Sequence, residues 1–139
     1  MSGPLLTARF HVVMADVDAA QILYFATPLR WAERMFSRWR REVGLPMSEM
    51  LRTGTGTPAV RSEITYAASL HLDEEVEATM WCDRRSTRSY TTRYDFAAGP
   101  EGPLATQVWL TQATIERDAD GRMRSVPIPG DLAAALGGG

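Results

Sequence analysis

One change of period constrains this chain more than any other feature. Between Thr27 and Val43, apolar residues (Ala32, Met35, Phe36, Trp39, Val43) return at three- and four-residue steps, the mark of a helix with one buried stripe. From Pro58 onward the step falls to two, and four strand-length runs follow at about 59–67, 74–83, 87–96 and 104–117. A fifth precedes the helix, where Leu6, Ala8, Phe10, Val12 and Met14 alternate with Arg9, His11 and Val13. Strand, helix, then strands joined by short turns predict an α+β domain: one long helix against a mostly antiparallel sheet. A single helix cannot cover both faces of such a sheet. The face carrying Trp81 and Trp109 is therefore expected to meet another subunit.

Local signals set the helix ends. Thr27 is the expected N-cap and Pro28 the first helical residue, while Gly44 and Pro46 stop the helix behind the cations Arg38, Arg40 and Arg41. A second short helix is expected at 47–52, and Gly99, Pro100, Gly102 and Pro103 mark a turn. At 139 residues the chain reads as one domain, 1–132, with 133–139 as a loose tail.

Composition removes several function classes. The only cysteine, Cys82, excludes an internal disulfide, a zinc ribbon and a dithiol centre. Fifteen basic against seventeen acidic residues give a net charge of −2, without the basic excess of a nucleic-acid binder. Every basic residue is arginine, so a Schiff-base or phosphate-loop lysine is excluded, and ligand cations must be guanidinium groups suited to carboxylate or phosphate. No apolar run reaches the ~18 residues of a membrane span and no basic, then apolar, leader opens the chain, so the expected compartment is the cytoplasm. His11 and His71 lie 60 residues apart without a Ser or Cys partner; neither a triad nor a metal site is expected.

Chemistry is concentrated ahead of the helix. Asp16 and Asp18 stand in an otherwise small and apolar segment just before a helix N-terminus, where unpaired backbone N–H groups can hold an oxyanion. Two carboxylates beside such donors describe acyl transfer. The segment DVDAAQILYFATPLRWAE from Asp16 closely resembles the first motif of the hotdog-fold thioesterases of the 4-hydroxybenzoyl-CoA thioesterase type. GLP at Gly44, GTPAV at Gly56 and DGRMRSVPIP at Asp120 extend the resemblance over most of the chain.

The resemblance implies a five- to six-stranded antiparallel sheet wrapped around one long central helix. It further implies a homodimer with two sites at its interface, commonly a homotetramer, and hydrolysis of an acyl-CoA in which coenzyme A belongs to substrate and product rather than acting as a cofactor. Asp18 matches the family's catalytic carboxylate, nucleophile or general base on water, and the backbone N–H of Phe25 matches its oxyanion donor, with Tyr24 beside it. Arg88, and less closely Arg84 and Arg85, match its coenzyme A contacts; Thr57 is expected either as a substrate contact across the interface or as a strand-start residue, and Glu33 on the long helix is a reserve acid. Tyr24, Phe25 and Trp31 suit an aromatic acyl group. Two departures stand out: Gln21 replaces the usual glycine and Thr27 the usual asparagine. The glutamine keeps a second class open, a hotdog module that binds acyl-CoA or acyl carrier protein without hydrolysis, alongside a thioesterase acting on a carrier-bound acyl group. A hotdog hydratase would need a histidine that neither His11 nor His71 supplies.

Overall fold

The computed structural model describes residues 3–137. Its main sheet has five antiparallel strands: β1 (Leu6–His11), β3 (Ala59–Tyr66), β4 (Glu75–Arg85), β5 (Ser89–Ala98) and β6 (Leu104–Ala113), in the spatial order β1-β4-β5-β6-β3. A smaller three-stranded sheet joins β2 (Thr55–Gly56), β7 (Ile115–Arg117) and β8 (Met123–Ser125). Among the described residues three α-helices, α1 (Thr27–Glu42), α2 (Met47–Arg52) and α3 (Gly130–Leu136), and a single 3-10 turn at Met14–Asp16 complete the fold.

The helix stripe and the strand alternation meet in one core. Trp31, Ala32, Met35, Phe36 and Trp39 of α1 pack on Val76, Ala78 and Met80 of β4, Tyr90, Tyr94 and Phe96 of β5, and Val108 and Leu110 of β6. Fully burying a large apolar side chain is worth about 1.5–3 kcal/mol, which makes this stripe the main force seating α1. Val43, expected in the stripe, is 40% exposed, and the buried position at that end belongs to Arg40.

Chain reversals follow the expected chemistry. At the end of α1, Gly44 has φ +78°, its N–H bonds to Arg41 O at 3.1 Å, and Leu45 N–H reaches back to Arg40 O at 2.8 Å, a paired cap that a left-handed residue makes possible. Between β5 and β6, a Cβ on Gly102 would sit 1.6 Å from the Ala98 carbonyl oxygen, so only glycine fits.

Three expectations need correction. Thr27 is not the N-cap: Ala26 holds that position, and the Thr27 hydroxyl donates instead to Asp16 O at 2.8 Å, tying the helix start to the preceding loop. The run 104–117 breaks at Thr114 into β6 and β7, because Thr114 bonds outward to Arg88 and Val126 rather than continuing the ladder. The segment 133–139 is not a loose tail as far as it is described: α3 runs through Leu136, whose side chain is fully buried. Gly138 and Gly139 lie outside the described residues.

Candidate active site

The two acidic residues ahead of α1 have separate jobs. Asp16 is 8% exposed; Val13 N–H donates to its Oδ2 at 2.9 Å and the Trp31 indole N–H to its Oδ1 at 3.3 Å. A carboxylate so bonded holds the loop against the core. Asp18 is exposed, on a turn closed by Gln21 N–H donating to Asp18 O at 2.9 Å. Its Oδ1 accepts the Ala20 N–H at 2.8 Å, and among the described residues Oδ2 has no protein donor. One oxygen orients the carboxylate and the other remains available.

The turn is pinned from both sides. Val17 bridges Leu23, Ile22 bridges His71, and Leu23 N–H donates to Leu70 O at 2.9 Å. Gln21 has φ +64°, the left-handed conformation a glycine would take readily. Substituting glutamine has therefore kept the backbone path, at the expense of strain.

From this turn the chain enters α1. Tyr24 N–H donates to Asp16 O and Thr27 N–H to Tyr24 O, both at 2.9 Å, whereas the Phe25 N–H has no protein acceptor among the described residues. Pro28 has no N–H to offer, and the Ala26 N–H likewise has no acceptor among the described residues, so the unspent donors at the helix start are those of Phe25 and Ala26. The Phe25 carbonyl is held by the hydroxyl of Tyr66, at the end of β3. Burial pushes the Tyr66 phenol above its ordinary pKa, keeping it a proton donor. Tyr66 was not apparent from sequence, since an aromatic at the end of an alternating run carries no signal of a contact 41 residues away. Tyr24 and Phe25 are 37% and 66% exposed, their rings 4.7 Å apart, and Glu33 is exposed on α1.

The other expected site residues lie elsewhere. Trp31 is a core residue, 3% exposed between Phe10 and Phe96 at 4.9 and 5.2 Å. The Thr57 hydroxyl is buried against that of Tyr90, its carbonyl accepting Gln112 Nε2 at 2.9 Å. Burial raises the Tyr90 pKa, with Thr57 and Arg40 pulling it back. Arg84, Arg85 and Arg88 flank the exposed β4–β5 turn; Arg85 donates to Ala133 O at 2.8 Å and Arg88 to Ser125 O at 2.7 Å.

These groups sit at opposite ends of the sheet. Asp18, Tyr24, Phe25 and Tyr66 gather where β4 begins, for Val12 N–H donates to Glu74 O. Arg84, Arg85, Arg88 and Thr57 gather where β4 ends. Eleven residues of strand separate them, roughly 35 Å. The face bearing Trp81 and Trp109 is half-buried; Arg93 lies between them in register, its guanidinium 5.2 Å from the Trp81 ring centroid. Among the described residues no three His, Cys, Asp or Glu side chains form a metal-ligand set, and no helix is long and apolar enough to cross a membrane.

Residues 12–136 match the sequence profile of the thioesterase-like superfamily. The chain belongs to this superfamily. A 1,4-dihydroxy-2-naphthoyl-CoA hydrolase of a Picosynechococcus species is 27% identical over 104 residues, which cover 70% of this chain and 71% of the relative. Among solved structures, a 1,4-dihydroxy-2-naphthoyl-CoA thioesterase from Synechocystis superposes with a TM-score of 0.85 at 18% identity, covering 94% of this chain and 93% of the other. A mutant 4-hydroxybenzoyl-CoA thioesterase complexed with 4-hydroxybenzoyl-CoA superposes with a TM-score of 0.81 at 18% identity, covering 94% and 97%. The fold is the hotdog fold of these thioesterases, with α1 as its central helix.

Proposed function

We propose that this member of the thioesterase-like superfamily hydrolyses an acyl-CoA with an aromatic, benzoyl- or hydroxybenzoyl-type acyl group to the free acid and coenzyme A. The observation that carries the reading is the pairing of an exposed carboxylate with one free oxygen, Asp18, and an unspent N–H, Phe25, on one short loop pinned to the sheet. The substrates named for the naphthoyl and hydroxybenzoyl relatives support the aromatic class.

In the nucleophilic version, Asp18 Oδ2 attacks the thioester carbonyl carbon and the C–S electron pair leaves with coenzyme A as thiolate, which takes a proton. Water then cleaves the mixed anhydride, regenerating the carboxylate. In the general-base version, Asp18 takes a proton from water, whose oxygen attacks the same carbon, and that proton goes to the departing thiolate. In both, the Phe25 N–H faces charge that develops on the carbonyl oxygen, and no cofactor is required. Labelled water tests the nucleophilic version: oxygen-18 entering Asp18 in a single turnover marks an anhydride opened at the Asp18 carbonyl carbon, whereas label in the product acid alone fits direct attack by water or opening at the acyl carbon.

The binding-module reading loses its motive. Gln21 adopts the backbone conformation that the replaced glycine would supply, so the turn that presents Asp18 is intact. The arginines at the far end of the sheet serve the active site of a second copy. Strand β3 is one of the two edges of the sheet and is exposed along most of its length, and antiparallel pairing of two such edges sets the β4–β5 end of one chain near the Asp18 end of the other.

Thiol release from benzoyl-, 4-hydroxybenzoyl-, phenylacetyl- and aliphatic CoA esters tests the proposal. Turnover of an aromatic ester that falls by ~10²-fold or more in Asp18→Asn is the expected result. An active Asp18→Asn variant overturns the assignment and directs attention to Glu33; no turnover of any ester overturns the activity.

A further inference from the structure

Two consecutive peptide units at the entrance to α1 share a pattern. The carbonyl of the first, Tyr24 O, accepts the Thr27 N–H at 2.9 Å, while its N–H, that of Phe25, has no protein acceptor among the described residues. The carbonyl of the second, Phe25 O, accepts the hydroxyl of Tyr66, while its N–H, that of Ala26, is likewise unspent among the described residues. Each peptide is therefore engaged at its oxygen and open at its nitrogen.

The local backbone aims both donors the same way. The bond from Thr27 N–H to Tyr24 O closes residues 24–27 into a turn, and Ala26 at φ −88°, ψ −10° gives it the type I form, in which Phe25 is right-handed helical. Successive N–H groups across a right-handed residue point along the helix axis, out of its N-terminal end. The Phe25 and Ala26 N–H groups can therefore meet a single negative oxygen.

The second peptide depends on a residue from another element. Tyr66 ends β3 opposite Thr106 of β6, and the next two N–H groups, of Ala67 and Ala68, both donate to Ala105 O, at 2.8 and 3.1 Å. The phenol is thus carried on the sheet and reaches across to the loop. A hydrogen bond into a carbonyl polarises the amide and makes the N–H at its other end a stronger donor, by roughly 10–30% per bond. It also stops the Phe25–Ala26 peptide from turning about its flanking bonds.

We propose that Tyr66 is a positioning residue for thioester hydrolysis: by holding and polarising the Phe25–Ala26 peptide, it presents the Ala26 N–H as a second oxyanion donor beside that of Phe25. The inference rests on the hydrolytic reading of Asp18 and Phe25. When the thioester carbon is attacked, its carbonyl oxygen takes up negative charge, and a donor fixed in place beforehand stabilises that charge without reorganising. The ground-state carbonyl carries little charge, so the gain falls on kcat rather than on KM.

Tyr66→Phe, which removes one oxygen from a side chain that is 53% exposed, tests the proposal. On an aromatic CoA ester its kcat should fall by ~5–10-fold with KM within twofold, short of the roughly 10²–10³-fold that deleting a donor outright costs. Replacing Ala26 by lactate turns that amide into an ester, deletes the Ala26 N–H and should lower kcat by ~10²-fold. On the lactate background Tyr66→Phe should add less than twofold, whereas a merely structural tyrosine would keep its full effect. Infrared spectra of a bound ketone analogue, benzoyl-CoA with CH₂ in place of the sulfur, read the donors without turnover and so separate failure of this inference from failure of the hydrolytic reading. The carbonyl band should move to lower wavenumber on binding, and part of the way back in Tyr66→Phe. An unchanged kcat, a loss confined to KM, an undiminished effect on the lactate background, or the same carbonyl band in native and Tyr66→Phe protein each overturns the role of Tyr66.

Discussion

Gln21 shows how a single residue holds the site in shape. A side chain at φ +64° costs about 1–2 kcal/mol relative to glycine, while glycine restores chain entropy to the unfolded state worth roughly 0.5–1 kcal/mol. The balance predicts that Gln21→Gly stabilises the protein by about 0.5–1 kcal/mol, a rise of ~2–4 °C in Tm by calorimetry. A fall in Tm instead would mean that the glutamine side chain makes a stabilising contact outweighing its backbone strain. Asp16 and Asp18 make the complementary point. They are identical in type and two positions apart, but Asp16 is committed to Val13 and Trp31 while Asp18 keeps an oxygen free.

Among the elements, α3 is the one whose role differs most from its composition. A run of alanines ahead of terminal glycines resembles a tail, but Leu132 and Leu136, four residues apart, place both side chains in the core. Arg85 holds the same helix by bonding to Ala133 O. Leu136→Ala should therefore cost about 2–4 kcal/mol in denaturant unfolding, the range for emptying a buried leucine site. A loss below ~0.5 kcal/mol would mark the helix as dispensable. Strands β4, β5 and β6 and helix α1 follow their sequence period closely because each buries one face, and a one-residue slip would turn every core side chain outward.

For the whole molecule, the separation between the Asp18 turn and the arginine cluster has a direct consequence. If one site takes its carboxylate from one chain and its arginines from another, two damaged chains can complete each other. Asp18→Asn and an Arg84→Ala, Arg85→Ala, Arg88→Ala triple variant should each be poorly active alone. Co-refolded at equal amounts, they should regain on the order of a quarter of native turnover, since half of the dimers are hybrids and each hybrid holds one undamaged site. Activity no higher than the mean of the two variants would show that each chain works with its own residues.

Period, capping residues and turn glycines determined the order of the main elements β1, α1, α2, β3, β4, β5 and β6, their antiparallel sheet, the α1 boundaries to within a residue and the segment that carries the candidate carboxylate, but not β2, the β7–β8 pair or α3. These are local properties, written in neighbours along the chain. Tertiary structure decided what depends on distant partners: that Trp31 and Thr57 are buried supports, that Tyr66 reaches Phe25, and that the arginines stand at the far end of the sheet. Arg40 is the clearest case. In sequence it is one of several cations near a helix end, where a helix dipole favours them; only the packing of other elements around it makes it a buried charge, because burial is a property of what the rest of the chain brings to that place.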